Sequence, residues 1–327
     1  MKKGKKLQLL DIVPAMILVL VFLIFALLSK GLSVSVYNLK LIFTQVVPVI
    51  VGGLGCIFVV ALGGTDISIG ANAAMCATIA AIASDRIGGW PALPLTVLLS
   101  TAMGLLIGTI VTRFKVSSFM ATLAMLIAAR GLLNFSLQHG IVGVPKGLGF
   151  LTSFWFTIVL LAVMIGGVWY VFECSKFGFY CKCIGENERN VQALGANVNR
   201  IRITCFMISG FTAGLVGIVQ LCRVGGSAST LCNMLEMRVQ MAIFLGGILT
   251  TGGFSAKIYK LLMGSFTIAI IENGLTICRV SSYLAEAIEG LLLVVILITI
   301  VCCSRLAAKK DVAMAVEAEK EEIGQEI

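Results

Sequence analysis

The chain has 327 residues, 59% of them hydrophobic and 13% charged, and a formal net charge of +9. A soluble domain carries about 25% charged residues, so this composition, with its mean hydropathy of +1.04, excludes an ordinary water-soluble globule. The positive charge does not point to nucleic acid, because Lys and Arg flank apolar runs instead of gathering in one patch.

The first element joins basic Met1–Lys6 to apolar Ile12–Leu28. It resembles a secretory signal, but no small-residue cleavage site follows. It is expected to be retained as a first span with its basic end in the cytoplasm. A crossing helix needs about 20 apolar residues. Ten predicted spans lie near 12–29, 41–62, 71–85, 91–112, 116–136, 153–173, 203–223, 237–250, 258–278 and 284–304. Several are short and run together through Gly-rich links, so the count lies between eight and ten. With ten spans, 17 of the 25 Lys and Arg residues fall on the side of the N-terminus. That bias predicts two cytoplasmic termini and a cytoplasmic connection from Glu173 to Arg202. A single membrane domain is expected over 1–308, followed by an acidic, solvated cytoplasmic tail over 309–327. Most of the eleven cysteines sit in apolar runs, as Cys56, Cys76, Cys205 and Cys302 do, and behave as small hydrophobes. Cys181-x-Cys183 has no second pair and no nearby His, so no metal site is expected.

Three polar interruptions break the apolar pattern. Gly63-Gly64-Thr65-Asp66-Ile67-Ser68-Ile69-Gly70 is too rich in glycine for a continuous helix. It reads either as a broken helix lining a path or as a tight turn whose Asp66 caps the next helix. Gly246-Gly247-Ile248-Leu249-Thr250-Thr251-Gly252-Gly253 interrupts the second half in a comparable way. The pair reads as an internal repeat with broken or re-entrant segments at its interface, or as close packing through small residues. The third interruption is Gly185-Glu186-Asn187-Glu188-Arg189-Asn190-Val191-Gln192-Ala193-Leu194-Gly195. Asn187 is placed to cap a short polar helix that ends near Gly195. That helix is either an ordinary surface loop or a docking element.

Isolated polar residues complete the reading. His139 is the one histidine and has no catalytic partner in local sequence. Arg130 lies inside a span and is expected to bond backbone carbonyls as a structural charge. Asn72, Asn134, Glu272, Asn273, Glu286 and Glu289 are further polar groups in or near spans. An acid/base pair of Asp66 and Glu272 lacks any accompanying nucleophile or metal set. No phosphate-binding loop, metalloprotease or nucleophile-elbow motif is present. No cofactor is expected on this chain, and an ATP-driven pump would carry its engine on another.

In order and spacing these residues resemble the permease subunits of bacterial ATP-binding-cassette importers of the ribose and simple-sugar type, from about Leu41 to Val301. The family's G-G-x-D-L-S-V-G is similar to Gly63–Gly70. Its F-x-x-T-L-x-x-x-x-x-x-R-G is matched by Phe119, Thr122, Leu123, Arg130 and Gly131. Its cytoplasmic F-G…G-x-N…G is matched by Phe177, Gly178, Gly185, Asn187 and Gly195. Glu236, Gly246 and Gly247 follow a further pattern, as do Asn273, Gly274, Leu275, Val280, Ser281, Ser282 and Tyr283. The chain departs from the family at Glu186, Asn190, Val191, Ser229, Cys232 and Glu289.

The resemblance implies an all-α polytopic permease of the bacterial inner membrane, paired with a second permease copy. It implies an extracytoplasmic substrate-binding protein outside. Inside it implies two ATPase chains, or one fused double ATPase, holding ATP and Mg. Residues 185–195 would be the coupling helix, and the solute a small sugar. A nucleoside, a furanose-like signalling molecule or another small solute is the alternative, with branched-chain amino acids ranked below these. A secondary transporter that needs no ATPase is a competing class. Thr65, Asp66, Ser68, Asn72, Phe119, Thr122 and Asn273 are the candidates for the translocation path. Arg130, Gly246, Gly247, Gly252 and Gly253 are the structural intramembrane candidates. Asp66 is expected to organise its segment, because a neutral sugar gains little from a buried charge.

Overall fold

A computed structural model of the chain describes residues 9–281 except 86, 87, 139 and 141, together with scattered residues between 284 and 298. His139, Ser282, Tyr283, Glu286, Glu289, the end of the last predicted span and the tail 309–327 lie outside the described residues.

The helices are α1 (Leu9–Leu28), α2 (Val36–Ala61), α3 (Ile69–Ser84), α4 (Ala92–Arg113), α5 (Ser118–Leu137), α6 (Phe154–Trp169), α7 (Lys176–Glu186), α8 (Glu188–Ala193), α9 (Val198–Val224), α10 (Leu235–Leu245) and α11 (Ile258–Ile277). Six helices among the described residues are long and apolar enough to cross a membrane: α2, α4, α5, α6 with its extension to Cys174, α9 and α11. The predicted spans near 71–85 and 237–250 form shorter helices. α3 has 16 residues and α10 only 11. At 1.5 Å per residue α10 is about 16 Å long, roughly half of a hydrocarbon core. One departure from an all-helical chain is a pair of two-residue strands, β1 (Val142–Gly143) and β2 (Gly226–Ser227). They run antiparallel, with Val142 opposite Ser227, and join two loops at one end of the bundle.

Local chemistry sets the helix ends. Ser35 Oγ accepts from the Asn38 amide and starts α2. Asn197 Oδ1 accepts from the Arg200 amide at 3.1 Å and starts α9. Gly225, with φ 89°, stops α9 in a left-handed turn. α2, α4 and α6 run toward an end that carries Arg113, Lys115, Lys182, Arg202 and Lys257, here the basic end. α5, α9 and α11 run away from it.

α9 is the mast of the bundle, packing against α2, α3 and α4. Small residues permit that closeness, as lipid offers no hydrophobic drive between helices. A Cβ on Gly210 would sit 2.3 Å from the Ser100 carbonyl, and one on Gly104 2.3 Å from the Phe206 carbonyl. Ser100 Oγ then donates to the Gly210 carbonyl at 2.7 Å. α5 packs beside α3 and α4, and α1 lies along α11, where Phe25 covers Gly274. Gly210→Val is expected to destabilise the fold by about 1–3 kcal/mol or more through overpacking. A thermal melt of the full chain in detergent checks this, with Gly131→Val as control, since a Cβ there meets nothing within 4 Å.

Candidate functional site

The chain leaves the helix twice within the bundle, and the two breaks meet. The first runs between α2 and α3. Leu62 and Gly63 turn the chain back, and by Asp66 it has returned to the level of Cys56, whose Sγ lies 3.7 Å from the Asp66 carbonyl. Asp66 is 3% exposed, so its carboxylate needs partners inside the protein. Oδ1 accepts from the Ser68 amide at 2.9 Å and from Ser68 Oγ at 2.6 Å. Oδ2 accepts from Ser209 Oγ of α9 at 2.6 Å. Gln240 Nε2 of α10 donates to the Asp66 carbonyl at 3.0 Å. Asp66 therefore closes a turn on Ser68, the residue before α3, and does not cap the first helical turn itself. Thr65 is tied elsewhere: its amide donates to Ser118 Oγ, on the first residue of α5, at 3.1 Å.

The second break runs from Gly225 to Met234, between α9 and α10. Its backbone reaches the bundle interior, where the Arg130 guanidinium of α5 donates through Nη1 to the Leu231 carbonyl and through Nη2 to the Cys232 carbonyl, both at 2.8 Å. Nη2 also lies 3.8 Å from Glu236 Oε2, an oxygen with no hydrogen-bond partner. Glu236 in turn lies against α3, for a Cβ on Gly70 would fall 1.9 Å from its Oε2 and 2.9 Å from the Cys232 carbonyl. The two short helices thus begin side by side. α3 runs away from the basic end and α10 toward it.

Gly246–Gly253 and Gly63–Gly70 pack on each other, which is the close packing that their small residues allow. The two segments touch at the same end: a Cβ on Gly63 would lie 3.1 Å from the Thr251 carbonyl, and one on Gly252 2.6 Å from the Gly63 nitrogen.

The third interruption joins this contact. Asn187 Oδ1 accepts from the Arg189 and Asn190 amides at 3.1 and 3.3 Å and starts α8. Gly195, at φ 79°, follows its end. Gly185 and Glu186 belong to α7, so residues 185–195 are not one helix. Gly185 is wedged where a Cβ would lie 2.1 Å from the Ala61 carbonyl and 2.4 Å from the Gly253 nitrogen. Glu186 Oε1 accepts from the Phe254 amide at 3.0 Å. Leu194 is 79% exposed, and Glu188 ties α8 to α9 by accepting from Arg202 at 2.9 Å. A cavity of about 600 Å³ opens here, lined among others by Gly63, Gly64, Lys115, Ser118, Glu188 and Arg202.

The path candidates divide by place. Thr65, Asp66 and Ser68 form the first break, with Phe119 and Thr122 on the adjoining start of α5. Phe119 is exposed, whereas Thr122 is buried and donates to the Ser118 carbonyl at 2.9 Å. Asn72 is buried and donates to the Ser100 carbonyl of α4 at 3.3 Å. Asn273 stands apart, in a reciprocal amide pair with Asn38 at 2.8 and 3.0 Å that clamps α11 to α2. Asn134 is exposed on α5, and Glu272 pairs with Arg238 at 2.6 Å, so Asp66 and Glu272 are spent on different partners. Desolvation first, and Glu186 second, raise the Cys183 thiol above its ordinary value, which disfavours a thiolate there. Among the described residues no group of three or more His, Cys, Asp or Glu could hold a metal ion. Sequence reading passed over Ser209, Gln240 and Ser118 as partners. Glu236 and Gln240, four apart in an apolar helix, were the available signal.

Arg130→Leu is expected to cost about 3–5 kcal/mol, because it strands Glu236 without its cation and frees two carbonyls. Adding Glu236→Gln should return part of that loss. Unfolding of the full chain in mixed micelles checks both variants; equal loss in single and double variants would show that the pairing does not matter.

Comparison with known proteins agrees with this architecture. A ribose import permease protein, RbsC of Haemophilus influenzae, is 27% identical over 288 residues, covering 84% of this chain and 88% of that protein. RbsC of Escherichia coli K12 is 27% identical over 274 residues, 79% of this chain and 84% of that one. The autoinducer 2 import system permease LsrC of Salmonella typhi is 28% identical over 275 residues, 81% and 78% of the two chains. No solved structure matches. The family described as branched-chain amino acid transport system / permease component matches residues 38–297, and the chain belongs to that permease family.

Proposed function

We propose that this chain is the membrane-spanning permease of an ATP-driven importer that carries a small sugar inward. The observation that carries the reading is the seating of α8. It is a short, capped, polar helix at the basic end, tied to α9 through Glu188, and it follows directly on the α7 terminus wedged between the two Gly-rich segments. A force applied there reaches Gly246–Gly253 through direct contact at Gly253, and Gly63–Gly70 through Ala61 at the end of α2. The relatives' names, ribose import and autoinducer 2 import, support a sugar or sugar-like solute. Their identities of 27% and 28% are too close to separate the two, so a furanose-like signalling molecule is the second reading.

The working unit in this proposal is a pair of permeases, with the path between them. ATP and Mg sit on two ATPase chains docked at α8. An extracytoplasmic binding protein delivers the solute at the opposite end. The basic end is cytoplasmic, as are both termini. The shorter α3 and α10, with α1 and the segment after residue 284, complete ten membrane segments. The breaks 62–68 and 225–234 are the corresponding points of an inverted repeat.

Replacing Asn187, Glu188 and Arg189 by alanine removes the α8 cap and its tie to α9. Docking of the cognate ATPase should weaken by about tenfold or more, with uptake into proteoliposomes lost and the permease still folded. Unchanged docking and uptake would refute the assignment of α8. Uptake driven by an ion gradient through this chain alone would refute the importer reading itself.

A further inference from the structure

We propose that the cavity between the start of α5, α8 and α9 binds a phosphate monoester of a small hydroxylated molecule. The cavity encloses about 600 Å³, within the range of about 300–1,000 Å³ usual for ligand clefts. It opens at the basic end, and polar or charged side chains make up more than half of its lining.

Two cations and one carboxylate line it: Lys115, Arg202 and Glu188. The carboxylate is already spent. Glu188 Oε2 accepts from Arg202 Nη2 at 2.9 Å, and its Oε1 accepts from Gln192 Nε2 at 3.1 Å. A guanidinium has five donors, so Arg202 keeps nitrogens for a second acceptor beside Glu188. Among the described residues Lys115 has no ion pair. The cavity therefore carries one net positive charge. A phosphate group accepts several hydrogen bonds at once, in parallel from an arginine fork and from a lysine as a point charge.

Lys115 also stands where its turn does not ask for a lysine. It links α4 to α5 with φ 54°, in the left-handed region that glycine enters without steric cost. The rest of the polar wall is hydroxyl and amide. Ser117 caps no amide of α5, and Gln192 of α8 and Asn199 of α9 line the same space. Such groups exchange hydrogen bonds with the hydroxyls of a polyol. Inorganic phosphate alone would leave most of the space to water. Gly63 and Gly64 form another part of the wall, so a ligand that fills the cavity spans α8 and the first break. In the transport reading this end faces the cytoplasm, where sugar phosphates are found. The proposal rests on that reading for its supply of ligand, and on the cavity alone for the binding.

Isothermal titration of the full chain in lipid nanodiscs, accessible from both faces, with ribose 5-phosphate, ribose or inorganic phosphate tests this. Ribose 5-phosphate is expected to bind at least about tenfold more tightly than either of the others, and to weaken as salt is raised. Lys115→Gly removes the charge and suits the φ of 54°. It should leave the thermal melt unchanged or raised while weakening ribose 5-phosphate about tenfold or more. Lys146→Gln, an exposed charge at the opposite end, should change neither. Undetectable binding of ribose 5-phosphate overturns the proposal, as does equal binding of ribose or inorganic phosphate. Undiminished binding by Lys115→Gly, or an equal loss in Lys146→Gln, overturns it too. Binding as expected by a chain that takes up no sugar in the complete importer would refute the transport reading and leave this site standing.

Discussion

A backbone that leaves the helix inside a bilayer must find its hydrogen-bond partners among neighbouring side chains, and this constraint accounts for the polar residues gathered around Asp66 and Arg130. The break before α3 is closed by the Asp66 carboxylate, Ser68, Ser209, Gln240 and Ser118. The break before α10 is closed by Arg130, whose fork takes two successive carbonyls. Each break also takes partners from other helices, so the segments before α3 and α10 are tied to α5, α9 and α10. The charges there are of the kind that are costly alone and tolerable when paired.

The same constraint explains why glycine is concentrated where it is. α9 approaches α4 so closely that backbone carbonyls occupy the space of side chains at Gly104 and Gly210. At the basic end Gly185, Gly252 and Gly253 let three chain segments touch backbone to backbone. A contact made of backbone transmits displacement with little slack, since there are no long side chains to repack. That is the physical basis for the proposed coupling between α8 and the segment 62–68.

Much of this was legible from residues alone. The apolar runs located the long helices, Asn187 and Gly195 bounded α8, and the glycines and Asp66 marked the first break. The second break, Gly225–Met234, opens with a Gly-Gly pair that marks a turn but contains no carboxylate to show that its backbone enters the bundle; the residue that holds it there is Arg130, about a hundred residues earlier. The pairing of Gly63–Gly70 with Gly246–Gly253 admitted two readings, an internal repeat or close packing through small residues, and the contact between the segments is the second. Both are Gly-rich since they pack on each other, and composition cannot tell contact from symmetry. Asn273 shows another gap: a buried amide advertises polarity and says nothing of the Asn38 partner 235 residues away.

The most direct test of the account is amide hydrogen exchange of the full chain in lipid nanodiscs, followed over residues 62–69. The account predicts slow exchange there, comparable with the core of α2, although the segment is not helical. It also predicts that Ser118→Ala speeds exchange at Thr65 while leaving α2 unchanged, because that amide is held by the Ser118 hydroxyl. Wild-type exchange as fast as in the exposed loop around Lys146 would contradict it, since the break would then be open to water and not closed by side chains.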